Sequence, residues 1–187
     1  MDTQNIVVIV GSLRKDSINK SVARTLAALS VPGLVFDIVD LAEIPMYNQD
    51  LENVFPEAVI TLKNKIRNAQ GIIVVTPEYN RSIPGMLKNV LDWTSRPYGD
   101  NAWAGKAVGT MGASVSPLGT AIAQDHLRSI LTYFDAHVLG QPEIYIGSFM
   151  EKVDATGNIT DGKTLEFLKM YLEKFHAHTL RFNTNTA

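Results

Sequence analysis

The chain has 187 residues, of which 45% are hydrophobic and 19% are charged, and its formal net charge is −2. This length predicts one domain over residues 1–187 with a substantial buried core, and the weak charge, without a basic block, disfavours nucleic acid as a partner. Because the chain has no cysteine, disulfides, thiol catalysis and cysteine-ligated metal centres are excluded. Any redox chemistry therefore needs a bound cofactor.

The first predicted element is a strand over residues 6–10, which form an unbroken apolar run. The run is too short for a membrane span or a signal peptide, and no basic stretch precedes it, so we expect a cytoplasmic protein without a membrane span. A polar loop follows at 11–19, and apolar residues then recur at helical spacing from Val22 to Leu29. Free N–H groups and hydroxyls at the start of a helix stabilise phosphate. This segment therefore predicts a strand, a phosphate-binding loop and a helix.

Hydrophobic periodicity predicts further strands and helices that alternate along the chain. The strands are predicted over residues 35–40, 71–76, 106–113 and 138–146, with an interruption of the last at Gln141-Pro142. The helices are predicted over 56–69, 83–93, 120–134 and 164–182, with a long irregular segment at 41–56 and a frayed tail at 183–187. In the fourth strand, Gly109 and Gly112 are expected to let a ligand approach the backbone closely.

Five strands that alternate with five helices predict an α/β fold. Parallel strands need crossovers long enough to hold a helix, and right-handed crossovers place helices on both faces of the sheet. We predict a single doubly wound domain with a five-stranded parallel sheet in the order 2-1-3-4-5. Ligands of such sheets bind outside the carboxyl ends of the strands, between the first and third strands, where the order reverses.

Three polar loops are predicted to meet at this edge, after the first, third and fourth strands. In the first loop, Ser12, Ser17 and Asn19, together with backbone N–H groups, are candidates to hold a phosphate. Arg14 offers a charge-assisted contact to the same group. The first loop therefore supplies the donors that a doubly charged phosphate needs.

The second and third loops have a different chemistry. Pro77 stiffens the second loop, Tyr79 provides a flat aromatic surface, and Asn80 with the backbone supplies hydrogen bonds at the edge of a ring. A planar heterocycle suits this arrangement. Ser114 and Ser116 in the third loop are candidates to close the other edge of the ring.

Two motifs carry a resemblance to a known family. The segments GSLRKDSIN (residues 11–19) and TPEYNRSIPGMLKNVLDW (residues 76–93) resemble those of the NAD(P)H-dependent FMN reductase family, most closely its soluble bacterial chromate and quinone reductase branch. The resemblance extends from residue 6 to about residue 146 and implies a flavodoxin-like fold. It implies an oxidoreductase that passes a hydride from NADPH or NADH through bound FMN to quinones, with chromate, azo compounds and free flavin as further acceptors.

The resemblance also implies where FMN binds, and it requires no catalytic side chain because the cofactor carries the chemistry. The implied contacts to the phosphate and ribityl chain are Ser12, Arg14, Ser17, Ile18 and Asn19, those to the isoalloxazine are Pro77, Glu78, Tyr79 and Asn80, and the contact to its far edge is Ser114. Since the Glu78 carboxylate would repel phosphate, we expect it to place the backbone or to bond a neighbouring loop. Related proteins form dimers and often tetramers, so a homodimer or homotetramer is expected.

Two alternative functions use the same loops. A flavodoxin-type electron carrier would pass electrons to a protein partner, but such carriers tend to be strongly acidic and a net charge of −2 is weak. A redox-silent FMN-binding regulatory module would keep the loops without turnover. The histidines show no convergent spacing with carboxylates, so metal binding is not expected. The choice between NADPH and NADH stays open because the chain has no Gly-x-Gly-x-x-Gly motif.

Overall fold

Six parallel strands form one sheet in the computed structural model, which describes residues 3–183. The strands are β1 (Gln4–Val10), β2 (Leu34–Val39), β3 (Gly71–Val75), β4 (Ala107–Ala113), β5 (His137–Val138) and β6 (Ile144–Ile146). The helices are α1 (Ile18–Ala28), α2 (Glu57–Asn68), α3 (Gly85–Thr94), α4 (Ala121–Tyr133) and α5 (Gly162–Asn183). The observed order β2-β1-β3-β4-β5 confirms the predicted doubly wound, flavodoxin-like sheet.

The fifth predicted strand is present as two short strands that share β4 as their partner. His137 of β5 lies opposite Ala107, and Ile144 of β6 lies opposite Met111. Pro142 lies between the two strands, at the predicted interruption. Because proline has no N–H to donate to a strand ladder, the chain leaves the sheet here and rejoins it further along β4.

Helices cover both faces of the sheet. On one face, Val22 of α1 and Phe175 of α5 share an apolar cluster with side chains of β1 and β3. On the other face, Ile66 of α2, Val90 of α3 and Leu127 of α4 belong to a second cluster. All of these side chains are fully buried, and each such burial stabilises the fold by about 1.5–3 kcal/mol. Burial on both faces explains why β3 is apolar throughout.

The irregular segment between β2 and α2 is anchored on α3. Trp93 Nε1 and Asn89 Nδ2 each donate to the carbonyl oxygen of Pro45 at 2.8 Å, and Asn89 Oδ1 accepts the N–H of Tyr47. One turn of 3-10 helix, Gln49–Leu51, interrupts the segment. Side chains of α3 therefore order a stretch that has little secondary structure of its own.

The prediction that a ligand approaches β4 at its glycines is wrong. A Cβ atom at Gly109 would overlap the hydroxyl of Tyr171 from α5, and one at Gly112 would overlap the carbonyl oxygen of Thr76 and the hydroxyl of Thr120. Both glycines are buried. They make room for atoms of the protein itself and not for a ligand.

α5 begins at Gly162, slightly before the predicted start. Asp161 explains this boundary, because its Oδ2 atom accepts the N–H of Thr164 at 2.8 Å and thereby caps the helix. Asn183 belongs to α5, and the remainder of the predicted frayed tail, residues 184–187, lies outside the described residues. Within residues 3–183, none of the helices has the length and apolar character that crossing a membrane requires.

Candidate active site

The three predicted loops meet at the carboxyl edge of the sheet and enclose a cleft of about 150 Å³. All of the sequence-predicted site residues except Asn80 and Ser116 line it. The lining residues are Ser12, Arg14, Ser17, Ile18, Asn19, Pro77, Glu78, Tyr79, Ala113, Ser114 and Val115. The sequence interpretation missed Ala113 and Val115, although both flank Ser114 at the end of a predicted strand. The cleft lies where β1 and β3 continue into helices on opposite faces of the sheet, so the two loops diverge and leave a crevice between them.

The first loop presents unused hydrogen-bond donors to the cleft. Ser12 and Ser17 are buried, yet their hydroxyls have no hydrogen-bond partner among residues 3–183. Ser17 is the N-cap of α1 and has an extended backbone conformation. The first hydrogen bond within the helix runs from the N–H of Ser21 to the carbonyl oxygen of Ser17. The N–H groups of the first turn, from Ile18 onward, therefore have no partner within the helix. Such donors at the positive end of a helix suit an anion.

Arg14 lies at the rim of the same loop. Its side chain is exposed, and Nη2 makes a long hydrogen bond of 3.4 Å to the backbone oxygen of Asp16. A bond of this length at the surface holds the guanidinium weakly. Arg14 is therefore able to turn toward an anion in the cleft.

Asn19 joins the first loop to the third. Its side chain is buried, with 1% exposure, Nδ2 donates to the carbonyl oxygen of Ala113 at 3.0 Å, and Oδ1 accepts the N–H of Ala113 at 2.8 Å. The amide thus engages both backbone groups of one residue at the end of β4. The sequence interpretation placed Asn19 in the cleft but did not foresee this connection across the sheet edge.

The second loop contains a tight turn between Tyr79 and Ser82, which exchange two backbone hydrogen bonds of 3.0 Å. The two residues between them, Asn80 and Arg81, have φ angles of 50° and 64°. A type I′ turn requires a left-handed conformation at both of its central residues, and this turn meets that requirement. The turn leaves Tyr79 48% exposed at the cleft, whereas Asn80 occupies the apex of the turn and does not line the cleft.

Glu78 lines the cleft and is bonded to α4 through its carboxylate. Its Oε2 atom accepts the N–H groups of Ile122 and Ala123, each at 3.1 Å. The sequence interpretation expected Glu78 to place the backbone or to bond a neighbouring loop, whereas the observed bond is to the first turn of α4. A second connection lies nearby, where Ser82 Oγ and His126 Nδ1 are 3.0 Å apart. The second loop is therefore fixed to α4 at two points.

The third loop is attached to β6. Ser114 donates its N–H to Ile146 at 2.9 Å and accepts the N–H of Phe149 at 3.1 Å. Its hydroxyl accepts the N–H of Ser116 at 3.0 Å. Val115, between the two serines, is 67% exposed at the cleft. The loop thus offers one apolar side chain beside the serine that was predicted to contact a ring edge.

The residues of the cleft fit FMN. One end offers two buried hydroxyls and free N–H groups for a phosphate, and the other offers the exposed ring of Tyr79 for a planar heterocycle. The cleft is smaller than the roughly 300–1,000 Å³ of enclosing ligand pockets, so a ligand of this size would extend beyond it into solvent. A larger concavity of about 550 Å³ lies between β6 and α5, where Lys152, Lys163 and Thr164 contribute to its lining but no residue of the three loops does. Within residues 3–183, histidine, aspartate and glutamate side chains form no cluster suited to a metal ion.

Known proteins are similar to this chain in both sequence and fold. Residues 4–151 match the family described as NADPH-dependent FMN reductase. A 2-hydroxy-1,4-benzoquinone reductase from a Burkholderia species is 47% identical over 172 residues, which cover 92% of this chain and 94% of the relative. A quinone reductase from Escherichia coli K12 is 43% identical over 174 residues, covering 91% and 92%.

A solved structure of a flavoenzyme has the same fold as this chain. FerB, a flavoenzyme NAD(P)H:(acceptor) oxidoreductase from Paracoccus denitrificans, superposes with a TM-score of 0.90 at 38% identity, covering 96% of this chain and 99% of FerB. The match spans nearly the whole of both chains. The chain belongs to the NADPH-dependent FMN reductase family.

Proposed function

We propose that this protein is an FMN-dependent oxidoreductase that takes a hydride from NADPH or NADH and reduces quinones. The observation that carries the proposal is the cleft itself, in which a set of phosphate donors and an exposed aromatic ring lie on loops of the same sheet edge. Bound FMN supplies the redox chemistry, since it accepts a hydride and passes two electrons to an acceptor. A single domain carries the function, because all three loops belong to one sheet.

The first loop holds the phosphate end of FMN. Ser12, Ser17 and the N–H groups of Ile18 and Asn19 donate to the phosphate oxygens, which the positive end of α1 also stabilises. Arg14 adds a charge-assisted contact from the rim. Asn19 contributes its backbone and holds the loop in place through Ala113.

The second and third loops hold the ring. Pro77 and Tyr79 lie along it, Ser114 contacts its far edge, and Glu78 and Asn80 act through the backbone of the turn. The protein need not supply an acid or a base, because its role is to orient the flavin ring against the nicotinamide or the acceptor. The openness of the cleft leaves space for a nicotinamide and then for a planar acceptor.

Quinones are the acceptors that this site suits best, because a flat open surface accommodates planar aromatic molecules. The relatives from Burkholderia and Escherichia coli are both named for quinone reduction, which supports the same substrate class here. Chromate, azo compounds and free flavin are further acceptors in this proposal. They demand only access to the reduced cofactor.

We also propose a homodimer or homotetramer in the cytoplasm. Exposed apolar side chains lie on the first and third loops and in the first turn of α4, and larger apolar surfaces mark interfaces. They are Leu13, Val115, Leu118 and Ile122. Light scattering on the purified FMN-loaded protein tests the assembly, and a monomer at micromolar concentration would rule it out.

Anaerobic reduction tests the function. The protein is purified, any flavin is released and identified, and the FMN-loaded form is mixed with NADPH or NADH in the absence of oxygen. We expect rapid bleaching of the flavin absorbance and its recovery after 1,4-benzoquinone is added. A flavin that stays oxidised with both nucleotides would contradict the enzyme and favour an electron carrier or a redox-silent module. A protein that cannot be loaded with FMN would overturn the proposal as a whole.

A further inference from the structure

α4 begins without a local group to accept its first N–H groups. Thr120 precedes the helix, but its hydroxyl accepts a hydrogen bond from Gln124 Nε2 at 3.0 Å and makes no capping bond. The first turn contains no acidic residue. The acceptor comes instead from Glu78, whose Oε2 atom takes the N–H groups of Ile122 and Ala123. Because a helix start carries unpaired donors and partial positive charge, this distant carboxylate acts as its cap.

Glu78 lies between two residues of the cleft. All three residues line it, and the Glu78 side chain is 15% exposed, with Oε2 bonded to α4 and Oε1 3.9 Å from Nη1 of Arg81. The residues on either side of Glu78 therefore face the cofactor site, while the Glu78 carboxylate attaches the loop to α4. A displacement of this carboxylate would move both neighbours.

The turn that follows Glu78 depends on such external attachments. Asn80 and Arg81 both have left-handed backbone conformations, which asparagine adopts readily but arginine adopts only at a cost that the surroundings must offset. Tyr79 and Ser82 are joined by two backbone bonds, and Nη1 of Arg81 lies 3.9 Å from Oε1 of Glu78. Glu78 on one side and the Ser82–His126 contact on the other attach the turn to α4.

We propose that Glu78 is a positioning residue for the flavin. Its carboxylate fixes the loop that carries Pro77 and Tyr79, and its negative charge balances the positive end of α4 close to the ring. The side chain does not touch the cofactor. This inference rests on the proposed FMN-dependent function, and it assigns a role that acts through the loop and through charge.

Three variants separate this role from a loss of stability. Glu78→Ala removes the cap and its charge, whereas Glu78→Gln keeps an oxygen that can accept the same N–H groups but removes the charge. Asp161→Ala is the matched control, because Asp161 caps α5 with its carboxylate and does not line the cleft. The readouts are FMN affinity from fluorescence titration of the FMN-free protein, the visible spectrum and the reduction potential of bound flavin.

We expect Glu78→Ala to weaken FMN binding about tenfold, because the carboxylate that caps α4 also attaches the binding loop to it, and to shift the flavin spectrum. Glu78→Gln is expected to retain most of the affinity but to raise the reduction potential, because loss of a nearby negative charge favours the reduced, more negative flavin. Asp161→Ala is expected to lower the thermal midpoint with unchanged FMN affinity, spectrum and potential.

Two results would overturn the inference. One is a Glu78→Ala protein, or a Glu78→Gln protein if the alanine variant does not fold, whose affinity, spectrum and potential all equal those of the unaltered protein. The other is an Asp161→Ala protein that loses as much FMN affinity as Glu78→Ala. Neither depends on turnover. A wild-type protein that binds FMN but is not reduced by either nucleotide would refute the proposed function and leave the Glu78 measurements interpretable.

Discussion

Asn19 carries the most sharply defined prediction, because its amide takes the place of a strand. β3 pairs with β4 as far as Val75 opposite Met111. Further along β4, the N–H and C=O groups of Ala113 are paired with the Asn19 side chain instead. Asn19→Ala would leave both of these buried groups unpaired, at a cost of about 1–3 kcal/mol each. We expect the free energy of unfolding to fall by about 2–5 kcal/mol, since the better helix propensity of alanine offsets only about 0.5 kcal/mol.

Urea unfolding of the FMN-free protein measures this loss, with Thr25→Ala as a control on the same helix. Thr25 bonds only within its own helix turn, to the carbonyl oxygen of Ser21, so its replacement is expected to change stability by less than about 0.5 kcal/mol. Asn19→Asp provides a second comparison, because its carboxylate still accepts the Ala113 N–H but faces the Ala113 carbonyl with a second oxygen. A loss below about 1 kcal/mol for Asn19→Ala would refute the assignment of Asn19 as a strand substitute.

The remaining predictions concern the cleft, the core and acid stability. Tyr79→Ala is expected to shift the visible spectrum of bound flavin, whereas Tyr79→Phe preserves it; identical spectra would remove the ring from the site. Arg14→Ala is expected to weaken FMN or nucleotide binding, by a factor that shrinks with added salt because the side chain is exposed. Gly112→Ala is expected to cost about 3 kcal/mol or more in urea unfolding, because its Cβ would overlap backbone at the end of β3. The Thr156 hydroxyl and neighbouring donors lower the pKa of Asp154 from 3.8 to about 2. Because the folded pKa lies below the unfolded one, this stabilisation is present above about pH 4 and is lost as the pH falls toward 2; a thermal midpoint that declines less steeply for Asp154→Asn checks it.

Local patterns were sufficient to predict the sheet and the position of the cleft. The apolar run at residues 6–10 and the polar loop after it define a strand and a helix start through neighbouring residues alone. The right-handed crossover rule then places the loops after β1, β3 and β4 at one edge. Pro142 even indicated where the last strand divides, since a missing N–H is a property of the residue itself.

Contacts between distant residues could not be predicted in this way. Asn19 and Ala113 are 94 residues apart, and Glu78 bonds α4 at 44 and 45 residues' separation. The glycines of β4 were misinterpreted for the same reason, because the side chain that fills the space over Gly109 comes from α5. The turn at Asn80 and Arg81 could not be predicted from the sequence either, because arginine is not a residue that typically follows asparagine in such a turn. The sequence therefore indicates which loops meet but not which side chains hold them.

The attachments between the loops explain how an open cleft can bind its cofactor. Asn19 connects the first loop to the third, Glu78 connects the second loop to α4, and the backbone of Ser114 connects the third loop to β6. None of these bonds uses the hydroxyls of Ser12 or Ser17, so the phosphate donors stay available while the loops are held in place. A site ordered in advance loses little conformational entropy on binding. In the proposed function, the loops need not close over FMN to bind it, and the exposed side of its ring would be left to the nucleotide and the acceptor, which replace one another at the same surface.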